Sequence, residues 1–350
     1  MRWPTVFVII LNWNGWKDTI ECLESLYSVS YPNYRVVVVD NNSGDDSLAR
    51  IEEYARGEIS VESSFFPHCS RQESLKVTEY VREEAEDISD LAEEVTGKHA
   101  YLAANEQLVI IKNEQNFGYA EGNNIGMRYA LKAAADYILL LNNDTVVHKD
   151  FLTELVRVAE EDDRIGAIGP KICFYDAPQV IQSTGARVDF WTGRAISLNW
   201  ETADDPLDSS STPKLLPVDY IYGACFLINH RIVEEVGELD PLYFLYGEEL
   251  DWCMRIRRAG YRIVCDLDSK IWHKGMASTS KQKRFSVYYL ERNRVIYERK
   301  YARTSQFLSF LLYYPVYYVA FLAKNRRAKD IPCFIKSFID GLLMHLDSSS

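Results

Sequence analysis

Three groups of polar side chains stand at predicted strand or helix ends, and the first of them suits a metal ion. Asn142, Asn143 and Asp144 follow an apolar run that ends at Leu141. A carboxylate beside two amides offers the oxygen ligands that Mg²⁺ or Mn²⁺ accepts, and these ions often use only one or two protein carboxylates. Asn-Asn-Asp is also ordinary turn chemistry. The apolar run before it favours a binding function.

The second group is a run of carboxylates at the start of a predicted helix. Glu248, Glu249 and Asp251 lie within four positions after Gly247. The helix dipole favours acidic residues in a first turn, but three carboxylates exceed what capping requires. Glu248 and Asp251 share a face at spacing i, i+3, whereas Glu249 points elsewhere. Because neighbouring negative charges raise one another's pKa, this run could supply a general base.

The third group consists of two isolated side chains, Asp40 and His273. Asp40 ends an apolar strand and could accept hydrogen bonds from the ribose or base of a nucleotide. Capping of the helix that follows would explain Asp40 equally well. His273 follows the apolar pair Ile271–Trp272, and a lone histidine is more often structural than a ligand. It becomes a candidate because a metal ion at Asp144 needs a second ligand and accepts imidazole.

Alternating strands and helices must position these groups. Apolar runs predict strands at 6–11, 35–40, 108–111 and 137–141. Helical periodicity predicts helices at 16–27, 45–54 and 119–135. Continuous apolar strands between helices predict an α/β fold with a mostly parallel sheet covered on both faces. Polar residues follow the carboxyl ends of three of these strands, and open α/β sheets bind ligands at that edge.

The second half is less regular. Gly166–Ile172 and Val218–Ile228 are predicted strands, and 199–213 is a predicted loop rich in Asp, Ser, Thr and Pro. The helix that opens at Gly247 is predicted to end near Gly260.

Residues 57–107 interrupt the alternation. They hold 12 acidic and 4 basic side chains, and so carry most of the formal net charge of −12. Apolar residues recur every three or four positions from Val77 to Val95, which predicts an amphipathic helix with an acidic outer face. The plainer interpretation is a solvated surface insertion. The more specific interpretation is an element that docks a partner or acts as a lid.

Composition narrows the class of protein. The 350 residues are 47% hydrophobic, which excludes a disordered chain and a small disulfide scaffold. A strongly acidic chain is a poor candidate for binding a nucleic-acid backbone. Seven cysteines without a C-x-x-C pair favour reduced thiols and a cytoplasmic location. The first strand is predicted almost at residue 1, with no targeting signal before it.

The C-terminal part contains an uncharged run at 306–323 that is rich in Tyr and Phe. Its 18 residues just reach bilayer-spanning length, but Pro315 lies near the middle. The tyrosines, and the Lys and Arg residues at 324–329, are typical of a helix lying on a membrane surface. Packing on the rest of the protein and membrane spanning remain open as alternatives. A single candidate span argues against a processive synthase with several spans.

The order of these motifs resembles the family 2 glycosyltransferases of the GT-A fold, in particular the rhamnosyltransferase-like branch. The resemblance covers roughly residues 4–300, interrupted by 57–107. The segments that carry it are Ile9–Gly15, Cys22–Leu26, Val37–Ser43, Asn116–Asn124, Leu141–Asp144, Tyr222–Cys225, Phe244–Trp252, Arg255, Ala259–Tyr261, Ile271–His273 and Tyr288–Asn293.

The resemblance implies a Rossmann-like, mostly parallel sheet flanked by helices, with an acidic helical insertion and a hydrophobic C-terminal helical tail. Residues 1–300 would form the GT-A domain, divided into a nucleotide-sugar half at 1–145 and an acceptor half at 146–300. Residues 301–350 would form the C-terminal region.

The resemblance also implies a donor site. The D-x-D motif of the family falls on Asn142–Asp144, where Asn142 replaces the first Asp. Asp144 and His273 are therefore the implied ligands of Mg²⁺ or Mn²⁺. The implied nucleotide-sugar residues are Asn12, Asn14, Asp40, Asn42, Gly118, Asn123, Asn142 and Asp144.

On the acceptor side, the family's E-D-x-D-like motif reads Glu248–Asp251. Glu249 is the implied catalytic base, and Asp251 an acceptor-hydroxyl ligand or the alternative base. Gly223, Glu248 and Trp252 are implied acceptor residues.

The implied reaction is inverting transfer from a UDP- or dTDP-sugar, with dTDP-rhamnose as one candidate. The acceptor is a glycan or lipid-linked hydroxyl, at the inner face of the cell membrane, with peripheral contact through 306–323. Two alternatives stay open. The departures at Asn142 and Glu249 allow a glycosyltransferase-like binding protein that has lost activity. A nucleotidyltransferase would need a basic, Gly-rich loop after the first strand, and Asn12–Gly15 is not such a loop.

Overall fold

The computed structural model describes residues 3–66, 74–87, 108–204, 214–275 and 283–346, which fold around one mixed sheet. Among the described residues this sheet has eleven strands, and β9 and β10 form a separate pair. The strands are β1 Val6–Asn12, β2 Tyr34–Asp40, β3 Val77–Val81, β4 Leu108–Lys112, β5 Tyr137–Asn142, β6 Thr145–Val147, β7 Ile165–Phe174, β8 Ile181–Ser183, β9 Ala186–Asp189, β10 Arg194–Ser197, β11 Leu215–Pro217, β12 Cys225–Asn229 and β13 Arg262–His273.

Helices cover both faces of the large sheet and continue past it at the C-terminal end. They are α1 Trp16–Leu26, α2 Ser47–Ala55, α3 Arg82–Asp87, α4 Gly118–Lys132, α5 Phe151–Glu161, α6 His230–Val236, α7 Glu248–Arg258, α8 Lys283–Tyr301, α9 Thr304–Lys324 and α10 Ile331–Leu343. Short 3₁₀ turns stand at Pro241–Tyr243 and Ala328–Asp330.

The first-half strands are parallel to one another. The order across the sheet is β11-β13-β7-β12-β5-β1-β2-β4-β3, with β6 and β8 paired to β13 and β7. Strands β3, β4, β2, β1 and β5 run in one direction, and β12 is antiparallel between β5 and β7. Alternate side chains of β1 enter two separate cores: Val6 and Val8 lie on one face, Phe7 and Ile9 on the other. Burial on both faces explains the unbroken apolar runs.

The register brings the polar strand ends to one edge. Asn12 of β1 is paired with Asp40 of β2, and Leu11 is paired with Asn142 of β5. Because parallel strands end on the same side, the turns that follow β1, β2 and β5 lie next to one another. The predicted α/β fold and its four first-half strands are confirmed. The predicted helices are also confirmed, with ends shifted by one to three residues.

The predicted amphipathic helix is wrong at its start. Val77–Val81 forms β3, an edge strand parallel to β4, and only Arg82–Asp87 is helical. Residues four apart share a face in a strand as well as in a helix, so the spacing did not distinguish the two. The outer edge of β4 supplies backbone hydrogen-bond partners that favour the strand. The rest of the predicted helix, 88–107, lies outside the described residues.

The predicted strand at Val218–Ile228 is too long. Its described strand, β12, begins at Cys225, opposite Leu141 near the end of β5. The two strands are antiparallel, so residues before Cys225 would have to pair with residues after Leu141, and β5 ends at Asn142. One backbone bond extends the pairing by a residue, from Asn142 N to Ala224 O. The preceding residues, which include Gly223, therefore form a loop at the ligand edge of the sheet.

The uncharged run forms α9, which lies against α8 and α10. Phe310, Tyr314 and Leu322 of α9 pack with Val295 of α8 and Phe334 of α10. In the described part of the chain, α9 is the one helix that is long and apolar enough to cross a membrane, by length and composition alone. Only 17% of its most apolar window is buried.

Candidate active site

A cavity of about 530 Å³ opens at the edge where β1, β2 and β5 end. The amino end of α7 and one face of α8 close the opposite side. This volume is in the range of pockets that hold small ligands. Much of the wall is aromatic, with rings from Trp13, Phe174, Trp200, Tyr220, Tyr222, Phe244, Phe285 and Tyr297.

Asp144 and His273 meet at one wall of this cavity. Pairing of β6 with β13 places Thr145 opposite His273, which brings the turn after β5 to the end of β13. Asp144 Oδ1 lies 3.2 Å from His273 Nε2, and both side chains are buried. Burial opposes ionisation of Asp144, but the neighbouring His273 more than offsets this and holds the pKa of the carboxyl below its usual range. The structure thus brings together the two predicted metal ligands.

Gln182 fixes the orientation of the His273 ring. Its Oε1 lies 2.8 Å from His273 Nδ1, and Gln182 itself is buried on the cavity wall. An amide oxygen only accepts, so Nδ1 carries the proton in this arrangement. Nε2 then faces Asp144 either protonated or as a metal ligand.

The Asp144–His273 pair fits a divalent cation that a substrate helps to hold. Among the described residues, no group of three or more His, Cys, Asp and Glu side chains could hold a metal ion. Mg²⁺ and Mn²⁺ commonly use one or two protein ligands and take further oxygens from substrate phosphates and water. One carboxylate and one imidazole on a cavity wall match this pattern.

Two glutamates face the cavity from the start of α7. Gly247 precedes them at φ +91°, a left-handed conformation that glycine adopts without strain. Its N–H donates to Glu249 Oε2 at 3.1 Å, which holds that carboxyl beside the helix end. Glu248 Oε2 is buried without a hydrogen-bond partner in the described part of the chain.

The surroundings of the two glutamates shift their pKa values. Burial raises the pKa of both, and the negative charge of Glu249 raises the pKa of Glu248 further. Backbone N–H groups at the helix start act in the opposite direction without cancelling the effect. Glu249 Oε2 accepts the Gly247 N–H, whereas Glu248 Oε2 has no hydrogen-bond partner among the described residues, so the ionised form is better stabilised at Glu249. Glu249 is therefore the carboxylate better able to accept a proton near neutral pH.

Tyr119 connects the two walls. Its hydroxyl lies 3.0 Å from Asn142 Oδ1 and 2.8 Å from Gly223 O. A methyl group placed on Gly223 would lie 3.7 Å from both Tyr119 Oη and Glu249 Oε1, so these groups border the same space. Burial and the negative charges of the α7 glutamates and Asp144 raise the pKa of Tyr119. The hydroxyl therefore stays neutral and serves as a donor.

A network around Asn41 closes the cavity over the start of α4. Asn41 Nδ2 donates to Asn116 Oδ1 at 2.9 Å and to Gly118 O at 3.0 Å. Gly118 has φ +80°, and a Cβ there would lie 2.5 Å from the ring and the carbonyl oxygen of Phe244. The backbone of Tyr119 donates to that carbonyl at 2.5 Å. Only glycine permits this close approach.

Asn12 and Asp40 stand behind the cavity lining. Asn12 Nδ2 donates to Asp40 Oδ1 at 2.7 Å, and Ser43 donates to the same carboxylate through its N–H and its hydroxyl. Asn12 Oδ1 accepts from Thr19 Oγ1 at 2.8 Å. Both predicted side chains are almost wholly buried and satisfied by these bonds. Their geometry ties the turns after β1 and β2 together and leaves neither side chain in the cavity lining, so direct contact with a nucleotide stays a prediction.

Three more predicted nucleotide residues lie outside the lining. Asn14 Oδ1 accepts from Gly44 N at 2.8 Å in the exposed turn, and Asn42 is exposed at φ 59°. Asn123 is buried within α4 and donates to Tyr119 O at 2.8 Å. Of the predicted set, the cavity wall contains Gly118, Asn142 and Asp144.

Asp251 lies behind the cavity and is not among the residues that line it, so its predicted contact with an acceptor stays a prediction that this placement does not favour. The carboxylate is fully buried and accepts hydrogen bonds from Tyr243 Oη at 3.0 Å and Tyr301 Oη at 2.7 Å. It also forms ion pairs with Arg255 at 2.9 Å and Lys300 at 2.6 Å. Burial is outweighed by these cations, which lower its pKa. Asp251 joins α7 to α8.

Trp252 also faces the core and is not among the residues that line the cavity, so its predicted role at the acceptor site stays a prediction. Its ring stacks on Phe226 of β12 at a centroid distance of 4.9 Å, and its Nε1–H donates to Gly237 O at 2.8 Å. Trp252 stands four residues after Glu248, on the same side of α7 but one turn further from the helix start, where its ring packs on β12 instead of facing the cavity. Gly223 and Glu248, the other predicted acceptor residues, do line the cavity.

The sequence prediction did not assign a role to several residues that line the cavity. Asn41 and Tyr119 stood inside segments that carried the resemblance, so their position next to Asp40 and Gly118 was an available signal. Gln182 had none, because its place depends on the pairing of β8 with β7.

Two family profiles match the chain. The profile described as Glycosyl transferase family 2 covers residues 7–66. The profile described as Glycosyltransferase like family 2 covers residues 68–298, which is more than half of the chain.

Individual proteins agree with these profiles. The low-salt glycan biosynthesis hexosyltransferase Agl10 of Haloferax volcanii is 26% identical over 238 residues, which are 64% of this chain and 74% of that protein. An N-acetylglucosaminyl-diphospho-decaprenol L-rhamnosyltransferase of Mycobacterium tuberculosis is 26% identical over 159 residues, which are 42% of this chain but only 49% of that protein.

A solved structure shares the fold. The mannosyltransferase PcManGT of Pyrobaculum calidifontis, in complex with GDP-Man and Mn²⁺, has a TM-score of 0.52 at 13% sequence identity. The match covers 99% of this chain and 77% of that one. At this identity the likeness concerns the fold alone, and it confirms the predicted GT-A architecture.

Proposed function

The chain belongs to the family 2 glycosyltransferases, and from this premise we propose an inverting transfer from a nucleoside-diphosphate sugar to an acceptor hydroxyl. The observation that carries the proposal is the cavity with two chemically different walls. Asp144 and His273 form one part of the lining and Glu248 and Glu249 another, and Tyr119 hydrogen-bonds to Asn142 and Gly223 of the same lining. A donor and an acceptor need such different groups around one space.

The donor would lie with its diphosphate at the Asp144–His273 wall. A divalent cation, Mg²⁺ or Mn²⁺, would be held by these two side chains, and when bound it neutralises charge on the leaving diphosphate. Gln182 keeps the His273 ring in place, and Tyr119 remains a neutral hydrogen-bond donor beside Asn142. The loops tied by Asn12 and Asp40 would surround the nucleoside.

The acceptor hydroxyl would give its proton to Glu249. The acceptor oxygen then forms a bond to C1 of the sugar while the bond from C1 to the diphosphate oxygen breaks. Attack from the face opposite the leaving group inverts the anomeric carbon, and no covalent sugar–enzyme intermediate is required. Glu248, which keeps its proton, would donate a hydrogen bond to the bound sugars. General-base catalysis of this kind contributes about 10²–10⁴-fold.

For the substrates, we infer a UDP- or dTDP-sugar donor, with dTDP-rhamnose as one candidate, and a glycan or lipid-linked acceptor. The names of relatives that act in glycan biosynthesis and on a decaprenol-linked sugar support this class. The aromatic rings around the cavity supply flat apolar surfaces for sugar rings. A lipid-linked acceptor would place the enzyme at the cytoplasmic face of the membrane, with peripheral contact through 306–323.

Calorimetric titration with UDP, dTDP and GDP, with Mn²⁺ or with EDTA, tests the donor site. We expect one nucleotide to bind only in the presence of Mn²⁺. Asp144→Asn should abolish the Mn²⁺-dependent part, whereas Asp150→Asn, the same change on a half-exposed side chain just before α5, should leave it intact. Absence of binding by the folded wild-type protein would instead favour the glycosyltransferase-like protein that has lost activity.

A further inference from the structure

One face of α9 carries a row of exposed aliphatic side chains. Leu308, Leu312 and Val316 are 56%, 79% and 71% exposed. They stand at i, i+4 and i+8, so they form a continuous stripe along the helix. Scattered exposed leucines need no explanation, but a contiguous apolar row on a helix face marks an interaction surface. A second row at the same spacing, Ile335, Ile339 and Leu343, is exposed on α10.

The opposite face of α9 is bound to the rest of the protein. Tyr314 Oη donates to the buried Glu291 Oε2 of α8 at 2.8 Å, and Ser309 Oγ donates to Trp191 O at 2.9 Å. Phe310 packs fully buried against Phe338 of α10. Crossing a bilayer would break these contacts. The helix is therefore placed to lie on a surface with one face free, which is the geometry of an interfacial helix.

The charge of this region differs from that of the whole chain. Residues 303–346 hold six basic and two acidic side chains, although the chain has a formal net charge of −12. Lys324, Arg326 and Lys329 are exposed in the turn that follows the apolar row. Both acidic side chains are paired, Asp330 with Arg327 and Asp340 with Lys336. Positive charge next to an apolar stripe is complementary to anionic lipid headgroups.

We propose that α9 and the basic turn after it form a docking surface for an anionic lipid bilayer. Leu308, Leu312 and Val316 would enter the boundary between headgroups and acyl chains, while the basic side chains contact lipid phosphates. The surface itself does not depend on sugar transfer; its use for a lipid-linked acceptor rests on the proposed function.

Helix α8 connects this surface to the cavity. Its Asn293, Arg294 and Tyr297 line the cavity wall, while its Glu291 holds α9 and its Arg299 donates to Gly341 O of α10. The cavity and the docking surface are thus separated by one helix, about 10 Å across. A bilayer bound to α9 would bring lipid-linked sugars close to the acceptor wall.

Sedimentation with vesicles tests the proposal without donor, acceptor or metal. Wild-type protein should bind vesicles of phosphatidylcholine with phosphatidylglycerol much more strongly than vesicles of phosphatidylcholine alone. The double variant L312E/V316E should bind at least tenfold more weakly. The control V81E adds one glutamate at an aliphatic side chain that is 49% exposed on β3, and it should bind like wild type, whereas L312E and V316E as single variants should each weaken binding.

The basic turn is tested separately. The triple variant K324E/R326E/K329E should lose binding to the anionic vesicles, by about fivefold or more for each charge removed, and keep the weak binding to neutral ones. Circular dichroism and nucleotide titration check that each variant is folded. Wild-type protein that ignores anionic vesicles, or L312E/V316E that binds them normally, would overturn the proposal. So would a dimer without vesicle affinity that L312E/V316E converts to a monomer, because the row would then bind a second copy.

Discussion

The first turn of α7 carries three carboxylates that differ in their partners: Glu248 and Glu249 on one side of the comparison, and Asp251 on the other. At the start of the helix, Glu248 and Glu249 face the cavity, and neither forms an ion pair with a described residue. Burial accordingly raises their pKa. Asp251 faces α8, and Arg255 of α7 and Lys300 of α8 pair with it and lower its pKa.

The comparison teaches that burial alone does not decide what a carboxylate does. Desolvation acts on all three groups in the same direction, against the charged form. Where cations compensate it, as at Asp251, the charge is stable and the group serves as an anchor. Where they do not, as at Glu249, the group holds its proton more readily and can take one from a substrate. One short motif thus contains a reactive end and a structural end.

Glu249→Gln is the strongest test of the reactive end. The amide has nearly the same shape but cannot accept the acceptor proton, so we expect the rate of transfer to fall about 10²–10⁴-fold. Steady-state kinetics with a nucleotide-sugar donor measure this loss. Nucleotide affinity and melting temperature should change little, because no described cation pairs with the carboxylate.

The conservative variant and the pH profile sharpen this test. Glu249→Asp should retain part of the activity, since a base is still present but one methylene shorter. For wild type, kcat/KM should rise with pH through a value above the ordinary glutamate pKa, because the base works only when ionised and its pKa is raised. Full activity in Glu249→Gln would assign the base elsewhere.

Asp251→Asn tests the structural end. The change removes the carboxylate that pairs with both Arg255 and Lys300 and leaves Asp240 as the acidic partner of Lys300 among the described residues, so we expect the free energy of unfolding to fall by about 3 kcal/mol. Chemical denaturation measures it. The sign of the pH dependence follows from the lowered pKa: the stabilisation is present above the unfolded value near 4 and is lost as the pH falls through the folded pKa. The variant should lack this acid-sensitive part.

Unchanged stability in Asp251→Asn would mean that the four partners of Asp251 do not depend on its charge. A fall in transfer rate without a fall in stability would restore Asp251 to the reaction, contrary to its position behind the cavity.

Asp144 is intermediate between Glu249, which has no cationic partner among the described residues, and Asp251, which has two. Its carboxylate lies next to His273, and Gln182 orients that ring. Gln182→Leu removes the acceptor for His273 Nδ1 and leaves the ring free to turn. We expect the affinity for Mn²⁺, measured with the nucleotide present, to fall about 10–100-fold, as is typical for outer-shell partners. Gln182→Glu keeps an accepting oxygen and should retain most of the affinity. Equal affinities in all three proteins would exclude a positioning role for Gln182.

In both halves of the site the sequence predicted the position of a motif better than the direction of each side chain. Asp144 and His273 could be paired from the motifs that carry the family resemblance, whereas the contact itself depends on the antiparallel pairing of β6 with β13. The direction of Asp251 and Trp252 could not be predicted, since it depends on how α7 packs on α8 and β12. Asp40 was found at the right edge, but whether it faces a ligand or Asn12 depends on side-chain bonds that no spacing reveals.

Glu298 of α8 extends the comparison to a carboxylate far from the glutamates of α7. Both of its carboxylate oxygens are buried without a hydrogen-bond partner among the described residues. Burial, only partly opposed by Arg294, raises the pKa of Glu298 to about 8. Unlike Glu249, it does not line the cavity. It should therefore affect stability and not transfer.

Glu298→Gln should leave the transfer rate unchanged and should alter the stability only above acidic pH. In the wild-type protein the raised pKa means that stability is fully present below the unfolded value near 4.5 and is lost as the pH rises through about 8. The amide does not titrate, so the variant should gain stability relative to wild type as the pH rises from 5 to 8, by up to about 1.4 kcal/mol for each unit by which the pKa is raised. Thermal melts from pH 5 to pH 9 measure the difference. A difference independent of pH would show that Glu298 is ionised in the folded protein and has a counter-charge, as Asp251 does.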